Sequence, residues 1–210
     1  MPLQNRVTPF GELIASPARG TLMGNRGCIH DDRRRIRRPF AVKRWIICVL
    51  EFKNRHRTVM TPGQYTELFF LDEATALAAG HRPCAECQRA RYDLFRTYWS
   101  GRGRALPGAD EMDDVLHAER MDDRRAKRTY AVRWPRVQSG AMVADADGKA
   151  FLVQEDALLH WTPAGYGARL QPSAGTPLRV LTPRSIVRAL ARGYPLTVHP
   201  SARRGCPAAG

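Results

Sequence analysis

An unbroken apolar interval, Trp45-Ile46-Ile47-Cys48-Val49-Leu50, lies between Arg44 and Glu51. A short run rich in β-branched residues and bounded by charge has the pattern of a buried strand, so a strand is expected over residues 44–52. Arg57 to Met60 is expected to pair with it as a hairpin, and Tyr65 to Leu71 to form a third strand. Asp72 then stands as a cap before an alanine-rich helix over Glu73 to Ala79, with Gly80 as its stop. His81-Arg82-Pro83 leads into a second helix from Ala85 to Trp99, in which Leu94, Phe95, Tyr98 and Trp99 form one apolar stripe. The first 27 residues are broken by prolines and glycines and read as an extended, loop-rich segment.

Beyond the breaker at residues 100–109, Asp110 to Arg128 runs from acidic to basic, the charge order that suits a helix dipole. Residues 141–145 and 149–153 flank Ala146-Asp147-Gly148 as a β-hairpin. Trp161 to Pro177, rich in glycine and proline, reads as loop, and Leu178 to Leu181 as a strand. Thr182 and Pro183 supply an N-cap and a first-turn proline for a helix ending before Gly193, with a last strand at Leu196 to Val198. No internal repeat is read. The class is α+β: a small mixed or antiparallel sheet with a CxxC half-site at a helix N-terminus, plus a C-terminal α+β extension. The expected organisation is a basic metal-binding region over 1–100, a charged helical connector over 101–140, a small lobe over 141–200 and a tail over 201–210.

Composition bounds this picture. A chain of 210 residues, 43% hydrophobic and 26% charged, is that of an ordinary globular protein with room for one substantial core. It has no apolar run of about 18 residues to span a membrane, and its N-terminus lacks a secretory pattern, so a cytoplasmic location is expected. The net charge of +14 is unevenly spread, and residues 1–60 hold 13 Lys and Arg against 4 Asp and Glu. A polyanion, nucleic acid, is the natural partner for such a chain. Arg33, Arg34, Arg35, Arg37, Arg38, Lys43 and Arg44 are the candidate phosphate contacts, arginine being suited to bidentate binding. The competing view is an arginine-biased composition on solvated faces. Tyr65, Tyr98 and Trp99 are aromatics able to stack on bases, though the last two fit the core stripe better. No sequence-reading motif is present.

Five cysteines, at 28, 48, 84, 87 and 206, read in a reducing compartment as ligands or buried thiols. Cys84 and Cys87, placed at a helix start, turn both sulfurs one way, and a helix N-terminus favours the ligating thiolate. A redox pair would follow a strand in a βαβ context, whereas this pair follows a helix and Gly80-His81-Arg82-Pro83, which favours zinc. Upstream donors are Cys28, His30, Cys48 and His56. The expected zinc set is Cys84, Cys87, Cys48 and His30, with Cys28 the next choice in place of Cys48. His56 ranks low because Arg55 and Arg57 would repel a cation. His81 is expected to support the site or face phosphate.

The stretch TELFFLDEATALAAGHRPCAECQ, residues 66–88, resembles the second half of the Ada-type metal-binding module of DNA methyl-phosphotriester repair proteins. The resemblance rests on Phe69, Phe70, Glu73, Ala74, Gly80, Arg82, Pro83, Cys84 and Cys87. It implies that Cys84 and Cys87 bind zinc and that the region contacts DNA rather than RNA, in DNA repair or processing. The family's closely spaced first ligand pair has no counterpart here, so its methyl transfer onto a ligand thiolate is not carried over.

Two enzyme readings compete. His117-Ala118-Glu119 together with Pro83-Cys84-x-x-Cys87 resembles the zinc-dependent nucleobase deaminase signature, in reversed order. Asp110, Glu111, Asp113, Asp114 and Glu119 are the acidic set a divalent-metal nuclease would use, and equally a set that compensates a helix dipole.

Overall fold

A computed structural model describes residues 1–54 and 58–204. The α+β class holds: the described residues form two six-stranded sheets and five helices. The first sheet contains β1 (Gln4–Val7), β2 (Leu13–Ala15), β3 (Leu22–Asn25), β4 (Ile46–Cys48), β5 (Leu68–Phe70) and β6 (Arg82–Pro83), in the order β2-β1-β5-β3-β4-β6. It is mixed, with β1 parallel to β5 and β4 parallel to β6. The "loop-rich" first 27 residues thus supply three short strands, extended as expected but paired. The strand at 44–52 contracts to the three residues of β4, and no strand forms at Thr58 to Met60; Arg57 lies outside the described residues.

Helix α1 (Glu73–Ala78) begins where the sequence placed it: the Asp72 carboxylate accepts the Thr75 amide at 2.9 Å, and Gly80 leaves the helix at φ +91°. All six of its residues are buried. Ala76 and Leu77 join one core cluster while Ala74 and Ala78 join another, so small side chains let the helix sit between two packed layers.

Helix α2 (Arg89–Ser100) buries Tyr92 and Phe95, and Tyr98 and Trp99 pack against the same core. It starts four residues later than expected, because the Cys84 sulfur accepts the Glu86 amide at 3.4 Å and residues 85–88 form a turn. Helix α3 (Ala109–Arg120) stops well short of Arg128. Asp122 captures the Arg124 and Ala126 amides, at 2.9 and 2.8 Å, and so diverts the backbone into a tight turn.

The second sheet, wholly antiparallel, contains β7 (Tyr130–Arg133), β8 (Met142–Ala144), β9 (Ala150–Gln154), β10 (Ala157–Thr162), β11 (Gly165–Leu170) and β12 (Pro177–Val180), in the order β11-β10-β9-β8-β12-β7. The expected hairpin around Gly148 is β8–β9. The expected loop at Trp161 to Pro177 instead holds β11, which pairs with β10 across Pro163-Ala164; its glycines and prolines mark the turn rather than the absence of structure. Helix α4 (Arg184–Ala191) follows Pro183, but Thr182 accepts the Met142 amide at 2.9 Å and caps nothing. Residues 196–198 form no strand, and α5 (Ser201–Arg204) follows them; the rest of the tail, with Cys206, lies outside the described residues. No helix among the described residues is long and apolar enough to cross a membrane.

Candidate metal centre and basic face

The parallel pairing of β4 with β6 builds the site. Ile47 lies opposite Pro83, and the Cys84 amide donates to the Ile47 carbonyl at 2.9 Å, which sets Cys84 beside Cys48. The turn after β6 then returns Cys87: Gln88 donates from its backbone to the Cys84 carbonyl at 3.2 Å and from its side chain to the Ile47 carbonyl at 2.9 Å. As a result the sulfurs of Cys48, Cys84 and Cys87 lie within 4.8 Å of one another, close enough to hold a metal ion. Tetrahedral thiolates at a zinc–sulfur distance of about 2.3 Å would stand about 3.8 Å apart, within the span these sulfurs occupy.

The electrostatics suit a ligating thiolate. The Cys84 thiol is pushed well down by sulfur hydrogen bonds from Cys48 and Cys87, helped by the backbone amides of Cys87 and Glu86. Cys48 is pushed up by the same two sulfurs and by burial. These amides belong to a turn, and the favourable donors come from local backbone rather than from a helix N-terminus.

The three thiols line a cavity of about 340 Å³, walled by Phe52, Tyr65, Phe69 and Glu67 among others. Glu67, 4% exposed, accepts the Met60 amide at 2.7 Å through Oε2, while Oε1 is buried with no hydrogen-bond partner among the described residues. Nothing local singles this residue out, since a carboxylate in a strand-entry segment ordinarily points to solvent.

His30 stands apart from the thiols. Its Nε2 faces the Thr61 carbonyl at 3.2 Å, which requires the proton there, and its Nδ1 accepts from the Thr66 hydroxyl at 2.6 Å. Both ring nitrogens are therefore engaged, and the residue stitches a loop. Cys28 also lies outside the group, its sulfur 3.9 Å from the His30 carbonyl. His56 lies outside the described residues. His81 is fully buried between Trp45 and Phe70 and accepts from Arg26 at 3.2 Å, so it faces no phosphate.

Of the basic set, Arg33, Arg34, Arg35, Arg37, Arg38, Lys43 and Arg44 are all exposed. Lys43 meets Asp114 at 2.7 Å, Arg44 meets Asp110 at 3.7 Å and Arg37 meets Asp31 at 3.9 Å. Arg33, Arg34, Arg35 and Arg38 form no ion pair among the described residues. Behind this face, Arg26 and Arg120 stack on the buried Trp45 ring at 3.9 and 4.0 Å. Burial and mutual repulsion bring Arg26 down to about 9; Arg120, lowered mainly by burial, also stands near 9, so both stay charged at neutral pH.

The acidic residues are tied elsewhere. Asp113 forms a buried bidentate pair with Arg82, at 2.9 and 2.7 Å, and Glu119 accepts from the Ser185 amide and hydroxyl at 2.8 and 2.5 Å. His117 packs its ring edge on Phe40 and is not among the grouped donors. The chain matches no protein-family model, no curated protein and no solved structure.

Proposed function

We propose that this chain is a zinc protein that contacts nucleic acid, DNA in preference to RNA, in DNA repair or processing. The observation that carries the reading is the convergence of Cys48, Cys84 and Cys87 from a strand and a turn that a parallel ladder holds side by side. Three sulfurs at this spacing suit zinc by donor type, and a thiolate supported by backbone amides is the form that binds it. Held by these residues, zinc would tether β4 to the turn that follows β6. The exposed arginines at 33–38 support the nucleic-acid half of the proposal.

Metal analysis of reduced protein tests it. One zinc per chain is expected, lost in Cys48→Ser, Cys84→Ser and Cys87→Ser and retained in Cys28→Ser and His30→Ala. Protein without zinc, or Cys28→Ser that loses it, defeats the assignment. For the nucleic-acid half, affinity for duplex DNA that is flat between 50 and 200 mM salt rules out phosphate contact.

A second reading, a zinc-dependent enzyme, is favoured by one feature: three donors beside a cavity that also holds the unpartnered Glu67 Oε1. Catalytic zinc keeps three protein ligands and one exchangeable position. Cobalt-substituted protein distinguishes the two, because azide shifts its visible spectrum only if a position is exchangeable.

A further inference from the structure

The isolated bridges His30↔Ile36 and Met121↔Lys127 close two turns of one construction. Their sequences, His30-Asp31-Asp32-Arg33-Arg34-Arg35-Ile36-Arg37 and Met121-Asp122-Asp123-Arg124-Arg125-Ala126-Lys127-Arg128, share Asp-Asp-Arg-Arg and the later arginine. This is a repeat too short to register as a structural unit in the sequence. In the first turn the Asp31 amide donates to the Arg35 carbonyl at 3.0 Å and the Arg34 amide to the Asp31 carbonyl at 2.9 Å. The Asp31 carboxylate takes the Arg33 and Arg35 amides, both at 2.9 Å. The second turn repeats each bond: Asp122 to Ala126 at 2.9 Å, Arg125 to Asp122 at 3.0 Å, and the Asp122 carboxylate with the amides of Arg124 and Ala126.

A third copy of this turn serves as an internal control. In the β8–β9 hairpin, Asp145 donates to the Lys149 carbonyl, Gly148 to the Asp145 carbonyl, and the Asp145 carboxylate takes the Lys149 amide at 2.8 Å. Its fourth position is Gly148, at φ +80°. The corresponding residues of the other two turns are Arg34 at φ +59° and Arg125 at φ +60°, the left-handed region that glycine occupies without strain. Among these three copies of the turn, glycine holds the fourth position where the turn connects strands, and an exposed arginine holds it, against backbone preference, in the other two.

The two arginine turns are also neighbours. Arg125 lies 5.7 Å over the Phe40 ring, and Phe40 follows the first turn. Phe40 packs on Trp45 at 5.7 Å, and Arg120, which leads into the second turn, stacks on the other partner of that pair. The same aromatic pair, a half-buried Phe40 on the buried Trp45, therefore roots both turns. Among the described residues neither Arg33 and Arg34 nor Arg124 and Arg125 form an ion pair.

We propose that residues 31–35 and 122–126 form a two-pronged clamp on a nucleic-acid backbone, with Arg34 and Arg125 at equivalent positions of the two prongs, each binding phosphate. This deepens the nucleic-acid reading above and rests on it, adding a second prong from residues to which no role had been given.

The test uses the full-length chain with duplex DNA and duplex RNA of one sequence, titrated across salt. Arg34→Gly and Arg125→Gly are each expected to weaken binding roughly tenfold, and the double variant to lower the slope of log affinity against log salt by about 2. Because glycine relieves the backbone, the melting temperature of each variant is expected to hold or rise, which separates lost contact from lost fold. Arg102→Ala, which removes an exposed charge elsewhere, is expected to change binding by less than twofold. If wild-type protein binds neither nucleic acid, the nucleic-acid reading and the clamp both fail. If it binds and Arg125→Gly leaves affinity unchanged, or Arg102→Ala weakens it equally, the clamp alone is overturned.

Discussion

At the scale of single residues, charge burial is the molecule's most demanding feature. Lys127 donates to the Ala78 carbonyl at the end of α1, and burial, with Arg26 and Arg120 nearby, brings its ammonium down to about 7. A base whose folded pKa is depressed binds fewer protons folded than unfolded, so stability rises with pH from about 7 toward 10.5, the range between the two values. Urea midpoints are expected to increase from pH 7 to pH 9, and to increase less in Lys127→Met; an unchanged slope in that variant removes Lys127 as the cause. The thiols follow the opposite emphasis. Cys84 was legible from its spacing to Cys87, a local signal, whereas the apolar run around Cys48 suits a buried thiol as well as a ligand, and only the β4–β6 pairing brings it to the group. His30 misled because proximity to Cys28 in sequence says nothing about which face a loop residue turns. Only the hydroxyl and carbonyl that engage it, Thr66 and Thr61, decide that, and they lie more than 30 positions away.

Among the elements, boundaries moved wherever a side chain competed for backbone donors. Cys84 and Asp122 each took amides that a helix would otherwise have used, delaying α2 and ending α3 early. By contrast Asp72 and Gly80 delimited α1 as the sequence suggested, since capping and a positive φ are local requirements. The tie between α3 and β6 was not legible, because an Asp–Arg pair across 31 residues leaves no pattern. That pair, with side chains 2% and 4% exposed, gives a sharp contrast. Asp113→Asn leaves the Arg82 guanidinium buried without a counter-charge and is expected to cost about 3–5 kcal/mol in urea unfolding. Asp114→Asn, which breaks the solvent-exposed pair with Lys43, is expected to leave the urea midpoint nearly unchanged.

For the whole molecule, the two sheets are joined through adjacent carboxylates. Asp72 caps α1 and also accepts the Tyr166 hydroxyl at 2.8 Å and the His199 amide at 2.9 Å. Glu73 takes the Tyr194 hydroxyl at 2.6 Å, the Thr197 amide at 2.9 Å and the Arg91 guanidinium. Removing Asp72 strands several buried donors at once, so Asp72→Ala is expected to lose about 3 kcal/mol or more by urea unfolding, with a single cooperative transition. Two transitions would show instead that the sheets unfold separately. The α+β class was readable because periodicity survives in short segments, but the dependence of one sheet on the other was not, since it is written in contacts between distant residues. The order of the first sheet has a further consequence in time. Strand β1 lies between β2 and β5, so the opening residues have no inner neighbour until position 70 has been made, and the core they join is closed only by Ile186 and Tyr194. Strands β1 and β2 therefore wait longest for their place, whereas β3 and β4, which flank the first arginine turn, pair with each other by position 48.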